Sequence, residues 1–264
     1  MKQQRTFGRI FLAAFVGLMY LFLYAPIIML IIFSFNAGES SIDWTGFSLR
    51  WYQELWESPD ILDALYNSLI VAFSSVVLSL IMGVLIVYYA ERNFLDKILP
   101  LFYISLAIPE IVLAVGLLSL FSSMNIPLGF MTLIVGHTVI GLGYVVPIVY
   151  VRYTELDYRL TEASLDLGAT QSQTFWRIIL PLLSPALFAS GLLVFIISLD
   201  DFIFSFFCSG ASVQTLPLLI FSIIRAGASP LVNALSTMLL VISSLVVLLY
   251  SALQLRGGVT RDEF

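Results

Sequence analysis

Charge is the scarcest commodity in this 264-residue chain: 11% of the residues are Asp, Glu, Lys or Arg. A soluble globular domain carries about a quarter, so the soluble class is excluded at the outset. Cysteine occurs once, at Cys208, which rules out an intramolecular disulfide. Histidine also occurs once, at His137, with no cysteine or second histidine beside it, so a metal site of ordinary ligand number is not expected. A packed, hydrogen-bonded imidazole is the expectation there. The only lysines are Lys2 and Lys97, and neither lies in a glycine-rich turn. The G-x-x-x-x-G-K-[ST] phosphate loop is absent, and ATP hydrolysis by that route is excluded for this chain. No nucleophile–base pair stands out to suggest an intramembrane enzyme. No polar linker, low-complexity tail or internal repeat marks a second domain, so residues 1–264 are expected to form one transmembrane domain.

What is abundant is apolar sequence, 60% of residues with a mean hydropathy of +1.01. The apolar runs are long and continuous, unlike the short alternating strands of a membrane barrel. In hydrocarbon the backbone must satisfy its own polar groups, so these runs are expected to be helices. The fold class is all-α, a polytopic membrane protein with six spans. Their approximate ranges are 10–33, 68–90, 98–121, 131–153, 182–199 and 231–253. The first run exceeds a signal-peptide core and lacks an A-x-A-like cleavage site, so it is read as a retained span.

Lys and Arg placement sets the orientation. Ten lie at the termini, in 91–97 and in 152–181, against only Arg50 and Arg225 on the other side. Both termini and the 152–181 loop are therefore expected to be cytoplasmic. The opposite side and the spans hold two basic and nine acidic residues, including Glu39, Asp43, Glu54, Glu57, Asp60 and Asp63 in the first outer loop. Acids can collect there simply because basics are excluded; the result is still an outer mouth that attracts cations.

Three acids fall within or at the end of spans. Glu110 follows Pro109 near the middle of the third, and Asp200 and Asp201 close the fifth. A charge at mid-membrane costs about 2.5–3.5 kcal/mol on insertion scales, so Glu110 should face a cavity or a partner. Either these acids make structural contacts, or they line a cation pathway to which Tyr144, Phe202 and Phe206 add aromatic faces.

The polar stretch 157–181 reads as two short helices. Gly168 suits a left-handed helix end. Thr170-Gln171-Ser172-Gln173 fits a capping box, and the helix that follows is expected to stop near Pro181. Ala163, Ser164, Gly168 and Ala169 are small enough to admit another protein's backbone; an ordinary loop lying on the lipid headgroups is the alternative.

Glu162-Ala163-Ser164, three residues, Gly168, nine residues, then Ile178, Leu180 and Pro181 resembles the signature of type I ABC importer permeases. Only Ser164 departs, standing where the signature has alanine. The resemblance implies the MetI-like permease fold and a coupling helix, here Glu162, Ala163, Ser164, Asp166, Gly168, Ala169, Ile178, Leu180 and Pro181, that docks on a separate ATPase.

The whole chain is similar to the PotC-type permeases of spermidine/putrescine importers. The likeness rests on Tyr24-Ala25-Pro26-Ile27-Ile28, Pro109-Glu110-Ile111-Val112, Pro127-Leu128-Gly129-Phe130, Leu165 to Ala169, Ser198 to Asp201 and Ser229 to Ala234. Members commonly carry Asp where this chain has Glu110. The resemblance implies a bacterial inner-membrane assembly with a second, PotB-like permease, an ATPase dimer that holds ATP and magnesium, and a soluble polyamine-binding protein. This chain would then need no cofactor or metal of its own and would touch no nucleic acid. A permease for another cationic or small organic solute remains open. So does a secondary transporter or channel, although that gives no reason for the complete signature.

Overall fold

The structure is a computed structural model that describes residues 2–39, 43–90, 97, 99–227 and 230–258, with side chains from Leu12 onward except 246 and 249–258. The described residues are helical apart from short connections and one isolated antiparallel bridge, Asn36 with Phe47. In chain order the helices are α1 Lys2–Phe33, α2 Arg50–Glu57, α3 Pro59–Ala90, α4 Leu99–Ala107, α5 Glu110–Ser123, α6 Phe130–Thr154, α7 Tyr158–Asp166, α8 Gln171–Thr174, α9 Leu180–Asp200, α10 Ile203–Cys208, α11 Leu216–Ala226 and α12 Pro230–Gly258. A π-helical turn, Phe175–Ile179, joins α8 to α9.

Contacts divide the chain into two compact units, residues 1–62 with 220–264, and residues 63–219. In the first unit α1 and α2 pack on α12. From Leu12 onward most apolar side chains of α1 are exposed, as a span facing hydrocarbon requires. The loop after α1 is organised by Asn36, which is fully buried. Its side chain donates to the Asp43 carbonyl at 2.8 Å and accepts the Thr45 N–H at 2.9 Å, while its carbonyl accepts the Trp51 indole N–H at 2.7 Å.

In the second unit α6 is the centre. It packs against α4, α9 and α10, and about half of its 25 residues are buried. Three glycines allow the close approach. A Cβ at Gly141 would collide with Ser79 Oγ and meet Val194 at 3.0 Å; one at Gly143 would meet Ser105 Oγ at 2.6 Å, and one at Gly136 would meet Phe204 at 3.1 Å. Ser75 and Ser79 of α3 donate to the α6 carbonyls of Ile134 and Thr138 at 3.4 and 3.3 Å.

Four described helices are long and apolar enough to cross a bilayer: Leu12–Phe33, Pro59–Ala90, Phe130–Thr154 and Gln171–Asp200. The expected spans 10–33 and 131–153 lie within α1 and α6. The expected span 68–90 begins earlier, at Pro59, because Pro at the first helical position and Asp60 in the first turn start the helix there. The expected span 231–253 lies within α12.

Pro109 is expected to kink the span 98–121, and the break there is complete. The span is two helices, Leu99–Ala107 and Glu110–Ser123, bent by 113°. At 9 and 14 residues they are about 14 and 21 Å long, so neither crosses about 30 Å of hydrocarbon alone. Pro109 disfavours helix at Ile108 and is itself extended, with ψ 130°.

Gly141→Ala should lower the thermal midpoint of the purified chain, at a cost of about 1–3 kcal/mol for overpacking. Gly116→Ala, where a Cβ meets nothing within 4 Å, should leave the midpoint unchanged or slightly raised. Equal behaviour of the two variants in a detergent melt would contradict the close packing of α6.

Candidate functional site

The polar segment is a built unit. Asp157 caps α7 by accepting the Arg159 N–H at 3.0 Å. The far end of α7 closes in a Schellman turn. Gly168, at φ 86°, donates its N–H to the Leu165 carbonyl at 2.9 Å, and the Ala169 N–H reaches the Ser164 carbonyl at 3.1 Å. The capping box is formed: Thr170 Oγ1 accepts the Gln173 N–H at 3.3 Å, and Gln173 Oε1 accepts the Thr170 N–H at 2.9 Å.

A bond between Ser164 Oγ and Thr174 Oγ1, 2.9 Å and buried, fastens α7 onto α8. Ser164 therefore faces inward, in contrast to the expectation that all four small residues form an outer docking face. Glu162, Ala163, Asp166 and Gly168 are exposed and Ala169 is half-buried. Beside them Leu167 is 89% exposed, with Leu160 and Tyr158 also open. Residue-type reasoning did not single out Leu167 as a contact; its signal is a leucine directly before the helix-ending glycine of a short polar helix.

The expected helix stop near Pro181 does not occur. The helix runs without interruption from Gln171 to Asp200, 30 residues, or about 45 Å. Proline has no N–H, and its ring crowds the carbonyl four residues back. The preceding turn widens instead, with the Leu180 N–H bonding the Phe175 carbonyl in i−5 register. Pro181 is exposed and Ile178 and Leu180 are half-buried, while Ile179 is 2% exposed and packs with Leu99, Val149 and Leu183. The last part of the signature thus forms the root of a long rod, while Glu162, Ala163 and Asp166 are exposed on α7.

The far end of that rod carries two of the three acids. Asp200 ends α9 and is exposed; Asp201 is buried. One carboxylate oxygen of Asp201 accepts the Ser205 N–H at 2.9 Å, at the start of α10, and lies 3.5 Å from His137 Nε2. His137 is 1% exposed and its Nδ1 is hydrogen-bonded to Ser198 Oγ at 2.7 Å, the packed imidazole expected from the sequence.

Glu110 sits at the break between α4 and α5. It is exposed and opens α5 after the 113° break, where free backbone N–H groups favour a carboxylate. The helix that Glu110 opens, α5, packs against α10, the helix that Asp201 starts. Phe202 is half-buried beside Phe206, ring centroids 5.5 Å apart. Among the described ring contacts Tyr144 does not join this group; it packs against both of the apolar clusters to which α6 contributes. The second unit thus carries these three acids at the ends of helices. Among the described residues no group of three His, Cys, Asp or Glu is arranged to hold a metal ion.

Residues 75–256 match the family described as "Binding-protein-dependent transport system inner membrane component". The chain is 41% identical over 240 residues to the spermidine/putrescine transport system permease protein PotC of Haemophilus influenzae, covering 89% of this chain and 93% of that protein. It is 39% identical to PotC of Escherichia coli K12, covering 91% and 92%. Identity to the putrescine transport system permease protein PotI of the same organism is 34%, covering 84% and 82%. Among solved structures, a chain of a bacterial ABC transporter involved in import of the acidic polysaccharide alginate superimposes with TM-score 0.75 at 17% identity, covering 96% and 97%. A chain of the MetNI methionine ABC transporter gives 0.58 at 19%, covering 74% and 97%. At such identities these two speak for the fold.

Thr170→Val keeps the shape of the cap residue and removes its acceptor for the Gln173 N–H. The expected cost is about 0.5–2 kcal/mol, seen as faster proteolytic cleavage between α7 and α8 with the rest of the digest unchanged. An unaltered cleavage rate would deny the capping box its role in holding the segment.

Proposed function

Because the chain belongs to the family of binding-protein-dependent transport system inner membrane components, we propose that it is the permease subunit of an ATP-driven importer whose cargo is a polyamine of the spermidine/putrescine class. The observation that carries this reading is the near-full-length identity to PotC proteins of two organisms. The chain sits in the bacterial inner membrane, with both termini and the 157–181 segment cytoplasmic, as the ten-to-two distribution of Lys and Arg supports.

The chain is a permease and hydrolyses nothing itself. Its partners are a second, PotB-like permease, an ATPase dimer that binds ATP and magnesium, and a soluble binding protein that delivers the polyamine. The exposed face of α7, with Glu162, Ala163, Asp166, Leu167 and Gly168, docks on the ATPase, and Ala169 lies at its edge. Ser164 acts from inside, tying α7 to the rod. Ile178, Leu180 and Pro181 form the rod's root, so closure of the ATPase dimer moves α7 and the rod together. At the other end Glu110 and Asp200 offer carboxylates to ammonium groups, with Asp201 behind them and Phe202 able to present its ring to a cation. Tyr144 contributes by packing α6, the helix against which the rod moves. Alternating access follows when ATP binding and hydrolysis drive the rod in opposite directions.

Gly168→Asp should abolish polyamine uptake while leaving the amount of membrane-inserted chain unchanged; normal uptake would refute docking through α7. In a reconstituted complex Glu110→Gln should lower spermidine-stimulated ATPase activity by about tenfold, the loss of roughly 1.4 kcal/mol. A variant as active as the parent would remove Glu110 from the pathway. A parent complex stimulated by another solute and not by spermidine or putrescine would overturn the cargo.

A further inference from the structure

His137 takes no part in the function proposed above, yet it stands where three segments meet. It lies on α6, the packed centre of its unit, and is 1% exposed. Its Nδ1 is 2.7 Å from Ser198 Oγ, near the end of the α8–α9 rod. Its Nε2 is 3.5 Å from Asp201 Oδ2, at the break between α9 and α10, and 3.5 Å from Ser205 Oγ, in the first turn of α10. Ser198, Asp201 and Ser205 are all buried, so water does not compete for these contacts.

The two ring nitrogens are not used equally. Nδ1 makes a short, well-formed bond, whereas 3.5 Å is the outer limit for a hydrogen bond. One tautomer satisfies the whole set: the Ser198 hydroxyl donates to Nδ1, and Nε2–H points to the Asp201 carboxylate. Asp201 in turn accepts the Ser205 N–H and so starts α10. One imidazole therefore ties the rod's end to α6 tightly, and the acid beside it loosely.

We propose that His137 is a positioning residue of the translocation pathway: through Ser198 it latches the end of the α8–α9 rod to α6, and through its second nitrogen it sets the Asp201 carboxylate and the break before α10. The inference rests on the transport reading above and adds a residue to it. Without the latch the 30-residue rod still packs on α6, but loses its hydrogen bond to that helix just where Asp200 and Asp201 sit. Movement started at α7 then no longer reaches the acids in register.

Two readouts on the assembled complex test it. The first needs no cargo. With Asp200→Cys as an exposed probe, maleimide labelling should change several-fold between the nucleotide-free complex and the complex trapped with ATP and vanadate. With His137→Phe added, that change should be lost. An equal change in both backgrounds, or none in either, overturns the latch.

The second is ATPase activity against spermidine-loaded binding protein. His137→Phe should lower the maximal rate about tenfold and leave the half-saturating concentration of binding protein within about twofold, since docking lies elsewhere. His137→Asn, which keeps a polar group for Ser198, should regain at least a third of the rate. Adding Ser198→Ala to His137→Phe should cost nothing further, because the shared bond is already gone. Equal losses in the Phe and Asn variants would reduce His137 to core packing. A parent complex that spermidine does not stimulate would count against the cargo alone, leaving the labelling result to decide the latch.

Discussion

A proline inside a helix leaves one carbonyl without its donor, and the way the chain meets that demand at Pro181 determines how its polar segment and its acids are connected. The turn before Pro181 opens to i−5 register and the helix continues, so Gln171 and Asp200 belong to one rod of 30 residues. Had the helix stopped at Pro181, α7 and α8 would hang on a loop, and movement of that loop would dissipate before reaching the membrane. With the helix continuous, the Ser164–Thr174 bond fastens α7 to one end and the Ser198–His137 bond anchors the other.

Pro109 meets the same demand with the opposite result. There the chain turns by 113° and begins a new helix. The difference lies in what surrounds each proline. The π turn before Pro181 is clamped by packing: Phe175 lies 4.7 Å from the ring of Tyr88, and Ile179 is buried among Leu99, Val149 and Leu183. At Pro109 the flanking residues Ala107 and Glu110 are exposed, and Glu110 gains from sitting at the new helix start. Breaking the helix there costs little packing and gives the carboxylate a favourable place.

Much of the local chemistry was legible in residue order. The left-handed turn at Gly168 and the Thr170–Gln173 box depend on neighbours within a few positions, and the structure has both. Long apolar runs located the helices, and the end of α9 at Asp200 was visible as the change from apolar to acidic residues. The inward turn of Ser164 was not legible, because its partner Thr174 lies on the next helix and the angle between α7 and α8 decides whether they meet. That the two aspartates part was legible, since neighbours on a helix point about 100° apart; how they part was not, because the chain leaves the helix between them, exposing Asp200 and turning Asp201 back onto α10.

By itself the sequence determined the class of the protein. A chain this poor in charge and this rich in apolar runs must satisfy its backbone within helices in hydrocarbon, and the spacing from Glu162 to Pro181 resembles the signature of importer permeases. Only the tertiary structure decided which side of that segment is open, that Pro181 is passed and Pro109 is not, and that His137 meets Ser198 and Asp201 across more than sixty residues of chain. The physical reason is the same in each case. Caps, turns and apolar periodicity are set by neighbours in sequence, whereas burial, the fate of a proline and the partner of an imidazole are set by whichever helix packs alongside.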